Sequence, residues 1–133
     1  MTIEQEAADL LERAADGFES GRYYWTRGQY SRRVFGNQAY CSLGALGHEA
    51  GVALTTVESL PLNQAVVALA AHIAPHAYPT DLINNPGWLV VKWNDQIEMD
   101  DRLKFVPVLD KHQVAEAMKH AAKELRNKEG GTV

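Results

Sequence analysis

The sequence contains a single cysteine, Cys41, so no disulfide can form within the chain. That scarcity fits a reducing compartment and removes cross-linking as a source of stability. Long apolar runs are also missing. The longest, Ala65 to Ala71, falls far short of the roughly 20 residues that span a bilayer. The opening residues Met1-Thr2-Ile3-Glu4-Gln5-Glu6 lack the basic and apolar regions of a secretory signal. These features together set the expectation of a cytoplasmic protein. Basic residues are in deficit, 13 against 17 acidic, for a net charge of −4. That balance argues against general affinity for nucleic acid or for an anionic membrane. No internal repeat is visible, which excludes repeat architectures.

What is present suits one globular domain over residues 1–133, with 46% hydrophobic and 23% charged residues. A chain of this length buries roughly two-thirds of the surface its unfolded form exposes. Thr2 with Gln5 three residues later is a capping-box pattern. Ile3, Ala7, Leu10, Leu11, Ala14 and Phe18 then recur at helical spacing, which predicts a helix over 3–20 ended by Gly21. The aromatic, turn-bearing stretch that follows reads as a strand or hairpin. A second helix is expected from about Ala39. Within it Gly44, Gly47 and Gly51 each cost about 1 kcal/mol relative to alanine. Close approach of another backbone across that small face would offset the cost, and Gly51 is placed to end the helix.

A third helix is expected from Leu62 to Ala74, with Asn63 as cap and Pro75 as stop. Pro75 to Gly87 reads as a loop. Asn85-Pro86 forms a cap and first turn, so Trp88 to Trp93 reads as helix despite its β-branched and aromatic content. Residues 96–110 look irregular, with a short strand through Leu103 to Val106. Asp110 with Gln113 opens the last helix, whose stripe is Val114, Ala117, Met118, Ala121 and Leu125. The tail 127–133 is expected to fray. The fold class is mainly α: a compact bundle of four to five helices with a small β-hairpin or irregular β element after the first.

Two motifs stand out, Cys41-Ser42-Leu43-Gly44-Ala45-Leu46 and Trp93-Asn94-Asp95. A helix precedes them, Trp25-Thr26 follows that helix, and another helix closes the chain. This order resembles a family of small domains of unknown function in actinobacteria and their phages, with a C-x-L-G-A-L helix start and a W-N-D turn. The resemblance covers about Leu10 to Leu125. It departs where fifteen residues, Gln96 to Asp110, separate W-N-D from the last helix. The resemblance implies a fold and a phage or actinobacterial setting, and no reaction.

Cys41 is the candidate for chemistry, because a thiol at a helix N-terminus is expected to have a lowered pKa. A nucleophilic cysteine needs a histidine base and a group to orient it. His72 or His76 would serve as base, with Asn94 or Asp95 to orient it. His48, seven residues from Cys41, lies about 10.5 Å along a continuous helix and is excluded. The competing reading is a small buried hydrophobe in a glycine-rich helix. His72 and His76 stand four apart, yet Ile73-Ala74-Pro75 intervenes without a glutamate, so no metal site is expected. His112 and His120 read as solvated. The glycines match no phosphate or dinucleotide fingerprint, and no cofactor is expected.

For binding, Arg22, Arg27, Arg32 and Arg33 alternate with Tyr24, Trp25 and Tyr30 without an acid. Such a segment suits nucleic acid or a protein–protein contact. The adjacent acidic face of the first helix would instead neutralise it. The leading expectation is a non-enzymatic protein that contacts another protein. A cysteine-dependent enzyme and a nucleic-acid binder are the alternatives, and a homodimer is left open.

Overall fold

The computed structural model describes residues 2–51, 60–74 and 85–129. Among them are five helices and five short strands, so the chain is mainly α, with more strand than one small hairpin. Helix α1 (Ile3–Ser20) begins in the expected capping box: Gln5 N donates to Thr2 Oγ1 at 3.1 Å and Thr2 N to Gln5 Oε1 at 2.9 Å. It ends at Gly21, whose φ of 81° only glycine adopts cheaply. Its stripe of Ala7, Leu10, Leu11, Ala14 and Phe18 is buried. That stripe packs chiefly on the last helix, α5 (Lys111–Glu129), and on α3 (Leu60–Ile73). The acidic face of α1 is tied to α5 as well, through Arg126 on Asp9 and Glu12 and through Lys119 on Glu19.

Between α1 and the next helix lie β1 (Tyr24–Trp25), β2 (Ser31–Val34) and β3 (Asn37–Tyr40), arranged β1-β3-β2. β1 runs parallel to β3, and β2 antiparallel to it with Arg32 opposite Ala39. Phe35 and Gly36 join β2 to β3, both with positive φ, 50° and 81°, as a tight primed hairpin turn requires.

Ala39 and Tyr40 of β3 were assigned above to the second helix, so α2 is shorter, Ser42–Ala50, with Cys41 as its N-cap. Gly51 ends it at φ 72°. The close approach expected across its small face is real. A Cβ on Gly44 would stand 1.8 Å from the backbone oxygen of Tyr30. That leaves no room for any side chain.

Helix α3 starts at Leu60, not Leu62, with Pro61 in its first turn. Asn63 therefore lies inside the helix and is not its cap. Residues 75–84, His76 among them, lie outside the described residues, while Gly87, read above as loop, lies in α4 (Pro86–Asn94), with Pro86 in the first turn as expected. Its cap is as expected, with Trp88 N donating to Asn85 Oδ1 at 3.0 Å. Residues 96–110 hold an ordered hairpin of β4 (Ile97–Met99) and β5 (Phe105–Pro107), where one short strand was expected. Asp100 shapes its turn by accepting from Arg102 N and Lys104 N at 2.8 and 2.9 Å. Asp110 and Gln113 form the reciprocal cap of α5 at 2.9 Å each. The helix continues to Glu129, two residues past the point where fraying was expected. No described helix is long and apolar enough to cross a membrane.

Candidate functional site

The end of the molecule that carries the strands is organised around one buried amide. Asn94 closes α4 and is 1% exposed. Its Oδ1 accepts from Trp25 Nε1 at 2.7 Å, Ser42 N at 3.0 Å and Ser42 Oγ at 2.6 Å. Its Nδ2 donates to Thr26 O at 3.1 Å and to Asp95 Oδ1 at 2.9 Å. Asp95 Oδ1 also accepts from Gly28 N at 3.0 Å. Trp25-Thr26, Cys41-Ser42 and Asn94-Asp95, three separate points of the sequence, are thus one hydrogen-bonded junction. A buried amide with every polar atom matched rigidifies what it joins. Sequence reasoning offered Asn94 or Asp95 to orient a histidine base, whereas the structure sets them against Trp25, Thr26, Gly28 and Ser42.

The chain belongs to the family of unknown function DUF6197. That family's model matches residues 2–124, a span that includes all three arms of the junction. No curated protein matches the chain, and no solved structure does. Membership in DUF6197 carries no activity with it.

Cys41 sits beside this junction, 4% exposed. Its Sγ accepts from Gly44 N at 3.3 Å as the cap of α2. Burial outweighs that bond and pushes the thiol pKa above its usual value, and the Asp95 carboxylate adds to the rise. The lowering expected at a helix start is corrected accordingly. The space beside Cys41, about 250 Å³, is lined by Gly28, Gln29, Tyr30, Val91 and Asp95, and no described histidine lines it.

His72 lies at the end of α3, stacked on His120 with ring centroids 5.6 Å apart. Its Nδ1 is 2.8 Å from Glu124. Of the residues singled out for cysteine chemistry, the structure brings together Cys41, Asn94 and Asp95. It places His72 with α5 instead. Among the described residues, no three His, Cys, Asp or Glu side chains are placed to hold a metal ion.

The arginine segment divides into paired and unpaired members. Arg22 is held by Glu49 at 3.1 Å and Asp16 at 3.7 Å. Arg27 donates to the backbone oxygen of Asp95 at 3.4 Å. The Arg33 guanidinium reaches only the Gly36 carbonyl, at 3.3 Å, and the Arg32 guanidinium makes no bond among the described residues. Neutralisation by α1 therefore reaches Arg22 alone, and Asp9, Glu12 and Glu19 pair with α5 instead. Trp25 packs on the core, while Tyr24 and Tyr30 are about half exposed.

The feature that sequence reasoning missed lies beyond the junction, on the two hairpins. Ile97 and Met99 of β4 stand opposite Pro107 and Phe105 of β5. Side chains alternate along a strand, so these four share one face of the hairpin. All four are exposed. Near Pro107, Tyr24, Trp25, Leu109 and Lys111 line a groove of about 470 Å³.

The hairpin tips extend the same theme. Phe35, 98% exposed, and Leu103, 77% exposed, are the most exposed large apolar side chains among the described residues. They are also the only described residues other than glycine with positive φ, 50° and 61°. The signal available in sequence was the alternation Ile97-x-Met99, too short to separate from an irregular segment.

Proposed function

We propose that this protein is a non-enzymatic docking module that contacts a partner protein through its two hairpins. The observation that carries the reading is the pair Phe35 and Leu103. Each places a bulky apolar side chain in the left-handed conformation at a tip and holds it out in solvent. That conformation costs an ordinary residue on the order of 1 kcal/mol, and exposure returns nothing to the fold. Strain kept at an exposed apolar tip is a signature of a binding surface. The uncovered face of Ile97, Met99, Phe105 and Pro107 supplies area beside the tips. Arg32 and Arg33 supply rim charge, which favours encounter with an acidic partner. The resemblance of the motifs supports a setting in an actinobacterium or its phage, with the protein acting in the host cytoplasm.

The test pairs binding with stability. Phe35→Asn creates an Asn-Gly turn, the preferred pair for this geometry, and Leu103→Asn tolerates positive φ better than leucine. The double variant should be more stable by about 1 kcal/mol in denaturant unfolding. It should also lose a protein that the tagged wild type retains from host lysate after nuclease treatment. Retention of the same protein by the stabilised variant would remove the reading. Loss of all retained material on nuclease treatment of the wild type would instead support nucleic acid, held through Arg32 and Arg33.

A further inference from the structure

Strand edges raise a question separate from the apolar tips. β2 is the outer strand of the sheet β1-β3-β2, so half of its backbone groups face away from β3. The second sheet has only β4 and β5, and a two-stranded hairpin gains stability from a third strand or a cover. The edge of β5 is poorly suited to pairing because Pro107 has no N–H to give. The edge of β4 has no such block. Both β2 and β4 are therefore open edges among the described residues.

Their charges are opposite. β2 carries Arg32 and Arg33, and residues 22–40 contain no acid at all. β4 carries Glu98 at its centre and is followed by Asp100 and Asp101. Glu98 and Asp101 have no ion-pair partner among the described residues. Like charges oppose β2 pairing with a second β2, and the acidic β4 edge likewise repels its own copy. Opposite charges across adjacent strands favour β2 with β4. No contact within one chain joins these two edges in the sheet pairings.

We infer that the protein forms a homodimer in which β2 of each copy pairs edge to edge with β4 of the other. Each contact builds an intermolecular sheet in the order β1-β3-β2-β4-β5, in which Glu98 of one copy shares a sheet face with one of the two arginines on the partner's β2. The exchange is reciprocal, so the two contacts of a two-fold dimer occupy both β2 and β4, and the outer strands that remain are β1, two residues long, and β5, blocked by Pro107. The apolar tips and the Ile97–Met99 face remain available. The inference therefore goes beyond the docking reading and does not depend on it.

Charge exchange tests it directly. Sedimentation equilibrium of the full chain should show a dimer whose dissociation constant rises at least tenfold between 50 mM and 1 M salt. The Arg32→Glu/Arg33→Glu variant should be monomeric, because both of its contacts then set acid against acid. Glu98→Lys should be monomeric for the mirror reason. Mixed one to one, the two variants recover opposite charges at both contacts and should form a heterodimer. A variant that had merely lost its fold would not recover on mixing. A wild type that stays monomeric up to millimolar concentration would overturn the inference, as would a mixture that stays monomeric. Either result leaves the Phe35 and Leu103 test of docking untouched.

Discussion

Asn94 meets five hydrogen-bonding groups in a site from which water is excluded. Its alanine variant would leave the Trp25 and Ser42 donors and the Thr26 carbonyl without partners. Buried orphans of this kind cost about 1–3 kcal/mol each, so Asn94→Ala should cost on the order of 4 kcal/mol in denaturant unfolding. Asn94→Asp should cost more, since a carboxylate would then face the Thr26 carbonyl and the Asp95 carboxylate where the amide donates. A loss below about 1 kcal/mol for the alanine variant would show that the junction is not held as described. At this scale the sequence was half legible. Trp93-Asn94-Asp95 was placed at an element end, but partners 69 and 52 residues away leave no mark in local spacing. Cys41 shows the same limit. Its place at a helix start was readable, and its burial, which reverses the direction of its pKa shift, was not.

The helices were legible because their signals are local. Thr2 with Gln5, Asn85 with Pro86, and Asp110 with Gln113 each announce a start within four residues, and each makes the bond its pattern implies. Strands carry no comparable stop or start. Ala39 and Tyr40 of β3 were absorbed into α2 because Asn37-Gln38-Ala39-Tyr40 has little β-branched content and abuts a helical pattern. β4 and β5 are three residues each, below the length at which alternation can be recognised. The glycines of α2 were legible as a class, and the structure shows which one matters. Gly44→Ala would drive a methyl group into the Tyr30 backbone oxygen, at the severe end of overpacking, about 3 kcal/mol. It should also displace the Tyr30 end of β2. Thermal unfolding of the variant checks the first effect, and amide exchange at Tyr30 and Cys41 checks the second.

For the molecule as a whole, stability should depend on pH in the alkaline range. Tyr23 is a core residue, edge-on to Phe18 at 5.2 Å and to Tyr40 at 5.0 Å. Its hydroxyl donates to Glu49 at 2.8 Å. Burial, reinforced by that bond, holds its phenol pKa far above the usual 10.0. The Cys41 thiol is raised in the same direction from 9.0. An unfolded chain loses both protons at ordinary pKa values, while the folded chain keeps them. The stabilisation is therefore complete below pH 9 and declines above it, by at most about 1.4 kcal/mol per pH unit for each group. Urea unfolding between pH 8 and 11 should show the decline, and Tyr23→Phe should make it shallower above pH 10. An unchanged slope in that variant would assign the alkaline loss elsewhere.

The pairing of α1 with α5 joins the first and last described helices, and this has a consequence for synthesis. Roughly 90 residues separate Ser20 from Lys111, so at about 5–20 residues per second the ribosome needs several seconds to deliver the last helix. During that interval Leu10, Leu11 and Phe18 have been made but lack their main cover. The nascent chain commits to its fold only after its last helix has emerged.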